Sequence, residues 1–253
     1  NRPIGYDRNG LLMIQMTSPD FSGKYDILRN ELINTGAVTE MAESSSPPTE
    51  VWSTNGGFDW EGKDPAFEPI FATLTVTPEY GKTVGWQFQN GRDFSRDLAS
   101  DSAGFVINEA AAKLLGFEDP VDQTIRWTTW RSKLNSFTII GVVQDMVMGS
   151  PYTAAIPSVY FLSKDAHHFI NVKINPGVSA SAAIPKIEAV FRNLIPSAPF
   201  DFKFADQEFA SKFAAEERVG KLASVFSVLA ILISCLGLFG LASFMAEQRT
   251  KEI

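Results

Sequence analysis

From Leu222 to Ala246 the chain reads LASVFSVLAILISCLGLFGLASFMA, a run of 25 residues without one charge. As a helix it is about 37 Å long, against a hydrocarbon layer of about 30 Å. Lipid offers no partner for backbone N–H and C=O groups, so a spanning segment must be helical. Buried core helices rarely run this far without a charge. The run therefore predicts a slightly tilted transmembrane helix over 222–246, and it stands at the wrong end of the chain for a signal peptide.

The flanks do not orient this helix. Arg218 and Lys221 precede it, Arg249 and Lys251 follow it, and Lys212 tips the balance only slightly, so the positive-inside rule decides nothing. The chain opens at Asn1 without an initiator Met, and we expect a further transmembrane helix upstream. Inside the span Ala230, Ser234, Gly237, Gly240 and Ser243 recur at spacings of three and four. Small residues let helices approach closely in lipid, so this face is a candidate packing surface. The single cysteine, Cys235, sits mid-span, where apolar surroundings leave a thiol protonated and inert.

Residues 1–221 carry the whole net charge of −7 and no cysteine. An acidic surface excludes a general nucleic-acid binder, which needs cations to displace phosphate counterions. One cysteine excludes an intrachain disulfide framework and a CxxC-type zinc site. A cysteine-free exterior domain suits a bacterial periplasm. At 45% hydrophobic and 20% charged residues the body has material for a core and is not a disordered tail.

Within the body a strand–helix–strand pattern occurs twice. Leu11–Met16 reads as a buried strand. Ser22 is the expected N-cap of a helix with Tyr25, Leu28, Leu32 and Ile33 on one face, closed by Gly36 before a strand from Ala37. Near the end Phe169, Ile170, Val172 and Ile174 form a strand stopped at Asn175-Pro176-Gly177. A helix with Ile184, Ile187, Phe191 and Leu194 on one face follows, ended by Pro196. Phe200, Phe202 and Phe204 then alternate with polar residues as a half-buried strand. Two such units can pair into one ferredoxin-like layer.

The stretch between them differs, with loop punctuation at Ser44-SSPPT and Asn55-Gly56-Gly57. Strands are expected at 70–76, 104–107, 124–127 and 137–143, and a short helix from Glu109 between an Asn108 cap and Gly116. The fold class is thus α+β: a split βαβ layer interrupted by a β-rich insert. The divisions are 1–56, 57–164 (the insert), 165–205, a stalk helix over 206–221 capped by Asp206, the span over 222–246 and a segment at 247–253 that starts the cytoplasmic side if residues 1–221 face the periplasm. Stalk and span together make a helix of roughly 60 Å, with Gly220 as a candidate hinge because glycine costs about 1 kcal/mol relative to Ala in a helix.

Catalytic and metal signatures are weak. His167 and His168 are adjacent, at the border of a strand, and read as a solvated turn. No GxSxG elbow is present. Gly81-Lys82-Thr83 ends like a P-loop, but the glycine required five residues earlier is Val76. Glu216 and Glu217 read as a solvated helix face, and Trp52, Trp60, Trp86, Trp127 and Trp130 as core. We expect no enzyme activity and no cofactor in this chain.

The stretches Glu79-YGKTVGWQFQNGRDFS, Gly104-FVINEAAAKLLGFEDPVDQTI and Phe137-TIIGVVQDM resemble the periplasmic region of FtsX-like, MacB-type ABC transporter permeases. The segment from Phe213 through Ile253 resembles that family's stalk and second transmembrane helix. The resemblance implies a porter subdomain interrupted by a Sabre-like insert, in a protein of the bacterial inner membrane with residues 1–221 in the periplasm. It implies a homodimer driven by a separate cytoplasmic ABC ATPase, which transmits dimer closure through the stalk to expel or extract a substrate. A periplasmic adaptor and an outer-membrane channel are compatible with it. One departure stands out: where the family has glycine after Asp-Pro-Val, this chain has Asp122, a residue that tolerates positive φ. The residues themselves leave two other readings open, a membrane-anchored periplasmic sensor or binding domain and an FtsX-like regulator of cell-wall hydrolases.

Overall fold

The computed structural model describes residues 5–129, 132–148, 153–163 and 167–250. The side chains of 129, 132–134, 212–218, 243–244 and 246–250 lie outside that description. The chain divides into two compact units, Asn1–Phe209 and Ala210–Ile253.

In the first unit β1 (Leu11–Gln15), α1 (Tyr25–Asn34) and β2 (Val38–Ser44) form one strand–helix–strand unit. After 124 intervening residues, β11 (Phe169–Ile174), α4 (Ala180–Leu194) and β12 (Phe202–Phe204) form the other. The four strands lie in the order β12-β1-β11-β2, and each neighbouring pair is antiparallel. That interleaving is the ferredoxin-like layer expected from the sequence. Strand alternation sets its packing: Leu12 and Ile14 of β1 face the helices, while Leu11 and Met13 belong to a second core on the other side. Leu28 and Leu32 of α1 and Ile187 and Phe191 of α4 cover the first face. Each such side chain contributes about 1.5–3 kcal/mol on burial.

The sheet continues through the middle of the chain. β2 meets β5 (Phe71–Val76) through Ser44 and Val76. Beyond it come β10 (Ser158–Leu162), β7 (Gly104–Asn108), β9 (Ser132–Val143), β8 (Thr124–Thr129) and β4 (Phe58–Trp60). Two short strands lie off this path, β3 (Thr54–Asn55) on β5 and β6 (Phe88–Gly91) on β9. A third core, rich in aromatic residues, packs against β7, β8 and β9. A short α2 (Tyr80–Val84) follows β5. α3 (Glu109–Leu115) forms as expected: Asn108 Oδ1 accepts the Ala111 N–H at 3.0 Å, and Gly116 closes the helix at φ +74°. Asp122, at φ +67°, is the one non-glycine residue with positive φ among those described. It takes the conformation for which glycine is the usual choice.

Two expected caps are corrected. Ser22 does not start α1. Ser18 instead caps a short 3₁₀ turn, Pro19–Phe21, by accepting the Asp20 N–H, and α1 begins at Tyr25 after Lys24. Proline at the first position pre-sets that earlier turn. Asp206 does not cap the last helix either. α5 (Ala205–Thr250) starts directly after β12, so Asp206 lies in its first turn, with Oδ1 on the Gln207 N–H at 2.7 Å. A carboxylate there still complements the helix dipole.

Candidate functional site

Within α5 the segment Val219–Ala242 is long and apolar enough to cross a membrane, and none of it is buried. At 24 residues it measures about 36 Å. Its bounds sit slightly upstream of the expected 222–246. Leu229, Ile233, Leu236 and Phe239 are each more than half exposed, a surface that matches hydrocarbon rather than water. Ala230, Ser234, Gly237 and Gly240 are exposed on the same helix. Ser243 is helical, and its side chain lies outside the described residues. The Ser234 hydroxyl donates to the Ala230 carbonyl at 2.8 Å, so it is satisfied along its own helix. At Gly220, Gly237 and Gly240 an added Cβ would meet no atom within 4 Å. Among the described residues, nothing therefore requires glycine at those positions.

The base of α5, inside the first unit, is anchored. Ala205 is fully buried. Thr49 Oγ1 donates to Glu208 Oε1 at 3.1 Å, and the Arg8 guanidinium lies 3.9 Å from the centroid of the Phe209 ring.

A second feature of the first unit is a cleft of about 830 Å³. One wall comes from the segment 16–23, α1 and β2, the other from β5, β10 and the segment 95–102. Polar bonds cross it. Tyr25 Oη lies 2.6 Å from Glu79 Oε2 and 3.0 Å from Thr77 Oγ1. Its one proton goes to the carboxylate, the nearer and charged acceptor. Arg96 bonds both Glu79 and Asp26, and its guanidinium lies 5.4 Å from the Tyr25 ring centroid. Burial, and then the Glu79 charge, push the Tyr25 phenol well above its ordinary range. Replacing Tyr25 by Phe removes the donor and leaves Glu79 to Arg96. We expect a loss of about 1–3 kcal/mol, read as a lower thermal midpoint of the full chain in nanodiscs; an unchanged midpoint contradicts this account of the network.

His167 lies in the same cleft, and its reading as a solvated residue is corrected. Its side chain is only 6% exposed, and Nδ1 stands 3.0 Å from Glu43 Oε2. The imidazole Nε2 is buried, with no partner among the described residues. The partner of His167 is 124 residues away in the chain, and no local spacing marks it. The nearest local signal is Glu43 itself, a charge in a strand whose other residues are largely buried. His168, by contrast, is exposed.

Other candidates fall into packing roles. Gly81-Lys82-Thr83 lies in α2, where Gly81 abuts Asp93 and Trp86, and Lys82 Nζ stands 3.1 Å from Glu40 Oε2. Trp60, Trp86 and Trp127 are buried. Trp52 is 47% exposed and packs edge-on against Phe169. Trp130 lies outside the described residues, as do the side chains of Glu216 and Glu217. Among the described residues no group of His, Cys, Asp and Glu is placed to hold a metal ion.

A ferredoxin-like layer extended by further strands and followed by an exposed apolar helix defines a membrane-borne α+β domain. The model of the MacB-like periplasmic core domain matches residues 5–190. The chain belongs to that family and is the MacB-like periplasmic domain of an ABC transporter permease, an inner-membrane protein with a periplasmic segment. The periplasmic region of MacB from Actinobacillus actinomycetemcomitans has a similar fold, with a TM-score of 0.55 at 16% identity over 82% of this chain and 94% of that one. The extracellular domain of the ABC-type transporter YknZ from Gram-positive bacteria aligns at 15% identity over 76% of this chain and 97% of that one, with a TM-score of 0.49. No curated protein matches.

Proposed function

We propose that this chain is the outer, moving part of a homodimeric permease whose closure is driven by ATP hydrolysis on a separate cytoplasmic ATPase. Movement enters through α5 and reaches the sheet through β12, and substrate is expelled from the periplasm or extracted from the outer leaflet. The observation that carries this reading is the junction at Phe204–Ala205. There the edge strand of the ferredoxin-like layer passes into α5 with no loop between them, and the first residues of the helix are held by Thr49 and Arg8. A loop would absorb displacement, whereas a helix rooted in a core passes it on. Gly220 is the proposed hinge. Ala230, Ser234, Gly237, Gly240 and Ser243 form the proposed packing face toward another transmembrane helix. No cofactor of its own enters this reading, and an adaptor or outer-membrane channel would engage the periplasmic body.

Two measurements test it. Spin labels on exposed Asp201 of each copy, in nanodiscs with the ATPase present, should report a changed inter-copy distance on trapping with ATP and vanadate; an unchanged distribution ends the mechanical reading. Replacing Gly237 and Gly240 together by Leu should weaken association by roughly tenfold, or about 1.4 kcal/mol, since bulky side chains keep helices in lipid from approaching closely. Photobleaching step counts in the membrane would read this, and an undiminished dimer fraction with normal expression rules out the packing face.

A further inference from the structure

We propose that the Asn9–Gly10 peptide is the site at which this chain deamidates, with water as the only co-reactant, and that Lys173 promotes the reaction. This chemistry is independent of the coupling proposed above. The chain holds three Asn-Gly pairs, at Asn9, Asn55 and Asn90. Glycine leaves its amide nitrogen unshielded and its backbone free to turn, so each pair can bring that nitrogen onto the preceding carboxamide carbon.

The fold restrains two of the three. The Asn55 carboxamide donates to Ser53 Oγ at 3.1 Å and to Thr73 Oγ1 at 2.5 Å, and Asn55 pairs with Phe71 of β5. Asn90 and Gly91 pair with Val142 and Gly141 of β9. A Cβ added at Gly91 would collide with the Ile140 carbonyl oxygen. Asn9 and Gly10 instead form the turn before β1, closed by the Leu11 N–H on the Arg8 carbonyl at 3.2 Å. Asn9 is exposed, and among the described residues the Gly10 N–H meets no acceptor. Lys173 Nζ donates to the Asn9 carbonyl oxygen at 2.9 Å, to Asp7 Oδ2 at 2.7 Å and to the Asp7 carbonyl at 3.1 Å. Asp7 in turn accepts the Asn9 N–H at 3.0 Å, and its carboxylate lies against the Asn9 side-chain amide.

Loss of the Gly10 amide proton spreads negative charge onto the Asn9 carbonyl oxygen, and the ammonium held there stabilises it as an oxyanion donor does. The nitrogen then attacks Asn9 Cγ, the Cγ–Nδ2 bond breaks, and ammonia leaves carrying the proton that water relayed from Gly10. The product is a five-membered succinimide. One water opens it, with hydroxide adding to a ring carbonyl carbon and the proton returning to the Gly10 nitrogen. Opening at Cγ gives aspartate. Opening at the main-chain carbon gives isoaspartate, which lengthens the backbone by one methylene next to Arg8, the residue stacked on Phe209.

The test is ageing of the full chain in nanodiscs at mildly alkaline pH, beside the same chain unfolded in urea, with peptide mapping by mass spectrometry. Conversion adds one mass unit, and resistance to endoproteinase Asp-N marks the isoaspartyl form. In urea the three pairs should convert at comparable rates. In the folded chain Asn9 should convert faster than Asn55 and Asn90 by about tenfold or more. Lys173→Met should slow Asn9 by about tenfold, less than the roughly 10²–10³ of a donor in a water-excluded site, because water reaches this turn. Lys173→Arg keeps the cation and should leave the rate high. Conversion of Asn55 or Asn90 as fast as Asn9 in the folded chain overturns the site. An undiminished rate in Lys173→Met, or an equal loss in Lys173→Arg, overturns the role of Lys173.

Discussion

Phe105→Ala should destabilise the periplasmic body by about 3–5 kcal/mol, the usual cost of deleting a fully buried phenyl ring. Phe105 is inaccessible to solvent. It stacks on Phe137 with ring centroids 4.1 Å apart and an interplanar angle of 8°. Phe58, Trp127 and Phe161 surround it at centroid distances of 6.5, 6.3 and 6.0 Å. These neighbours come from β4, β8, β9 and β10, so the ring joins four strands whose ladders alone do not fix their packing. Collapse into the vacated space would require several large rings to leave their rotamers together, which places the expected loss at the upper end. For a body of this size each kcal/mol shifts the midpoint by about 2–4 °C. Thermal unfolding of the full chain in nanodiscs, followed by tryptophan fluorescence, is the measurement. A loss below about 1 kcal/mol would show that this cluster is not a closely packed core.

The second large effect depends on pH. Asp93 is pushed up to about 6, chiefly by burial and further by the charges of Asp101 and Glu79, while the Phe94 N–H and Arg92 act against the shift. A carboxyl raised in the folded state holds its proton better there than in the unfolded chain. Its contribution is therefore fully present below the unfolded value near 4 and is lost as pH rises through 6. From 3.8 in the free side chain to about 6 the difference amounts to roughly 3 kcal/mol. Asp93→Asn removes the charge and keeps an oxygen for the Phe94 N–H. Its stability relative to the parent should rise by roughly 2–3 kcal/mol between pH 4 and pH 7.5 and then level off. A pH-independent difference between the two proteins would show that Asp93 titrates normally. The neighbouring Asp101 behaves oppositely. Burial opposes its charge, but two bonds from Arg92 and the Ser95 N–H outweigh it and hold its carboxyl below the usual range. Two carboxyls eight positions apart thus titrate on opposite sides of their ordinary value, because one holds the guanidinium and the other is left in its shadow.

Local chemistry was legible along the chain. The helix from Glu109 to Leu115 lies between its Asn108 cap and its Gly116 stop, because a side-chain cap and a left-handed closing residue act within one turn. Asp122 was legible for the same reason: its positive φ is a property of one residue and its immediate neighbours. Where competing local signals crowd together, as at Ser18-Pro19 and Ser22, reading failed, since a proline-initiated turn consumed the residues expected to start α1. β10 and α2 passed unread; β10 is short and lies fully within a sheet, where no alternation marks its faces.

The sequence alone determined the membrane helix and the repeated strand–helix–strand pattern, since an uncharged run of this length and two apolar periodicities follow from the order of side chains. It also carried the family, through blocks of residues spread over most of the chain. Only the tertiary structure decided how the two repeats interleave as β12-β1-β11-β2, and that the sheet runs on from β2 into β5 through Ser44 and Val76. It alone set His167 against Glu43 in a cleft. The physical reason is common to all three. Strand pairing and buried side-chain hydrogen bonds are contacts between distant residues, and no periodicity along the chain encodes which distant partner a group will meet.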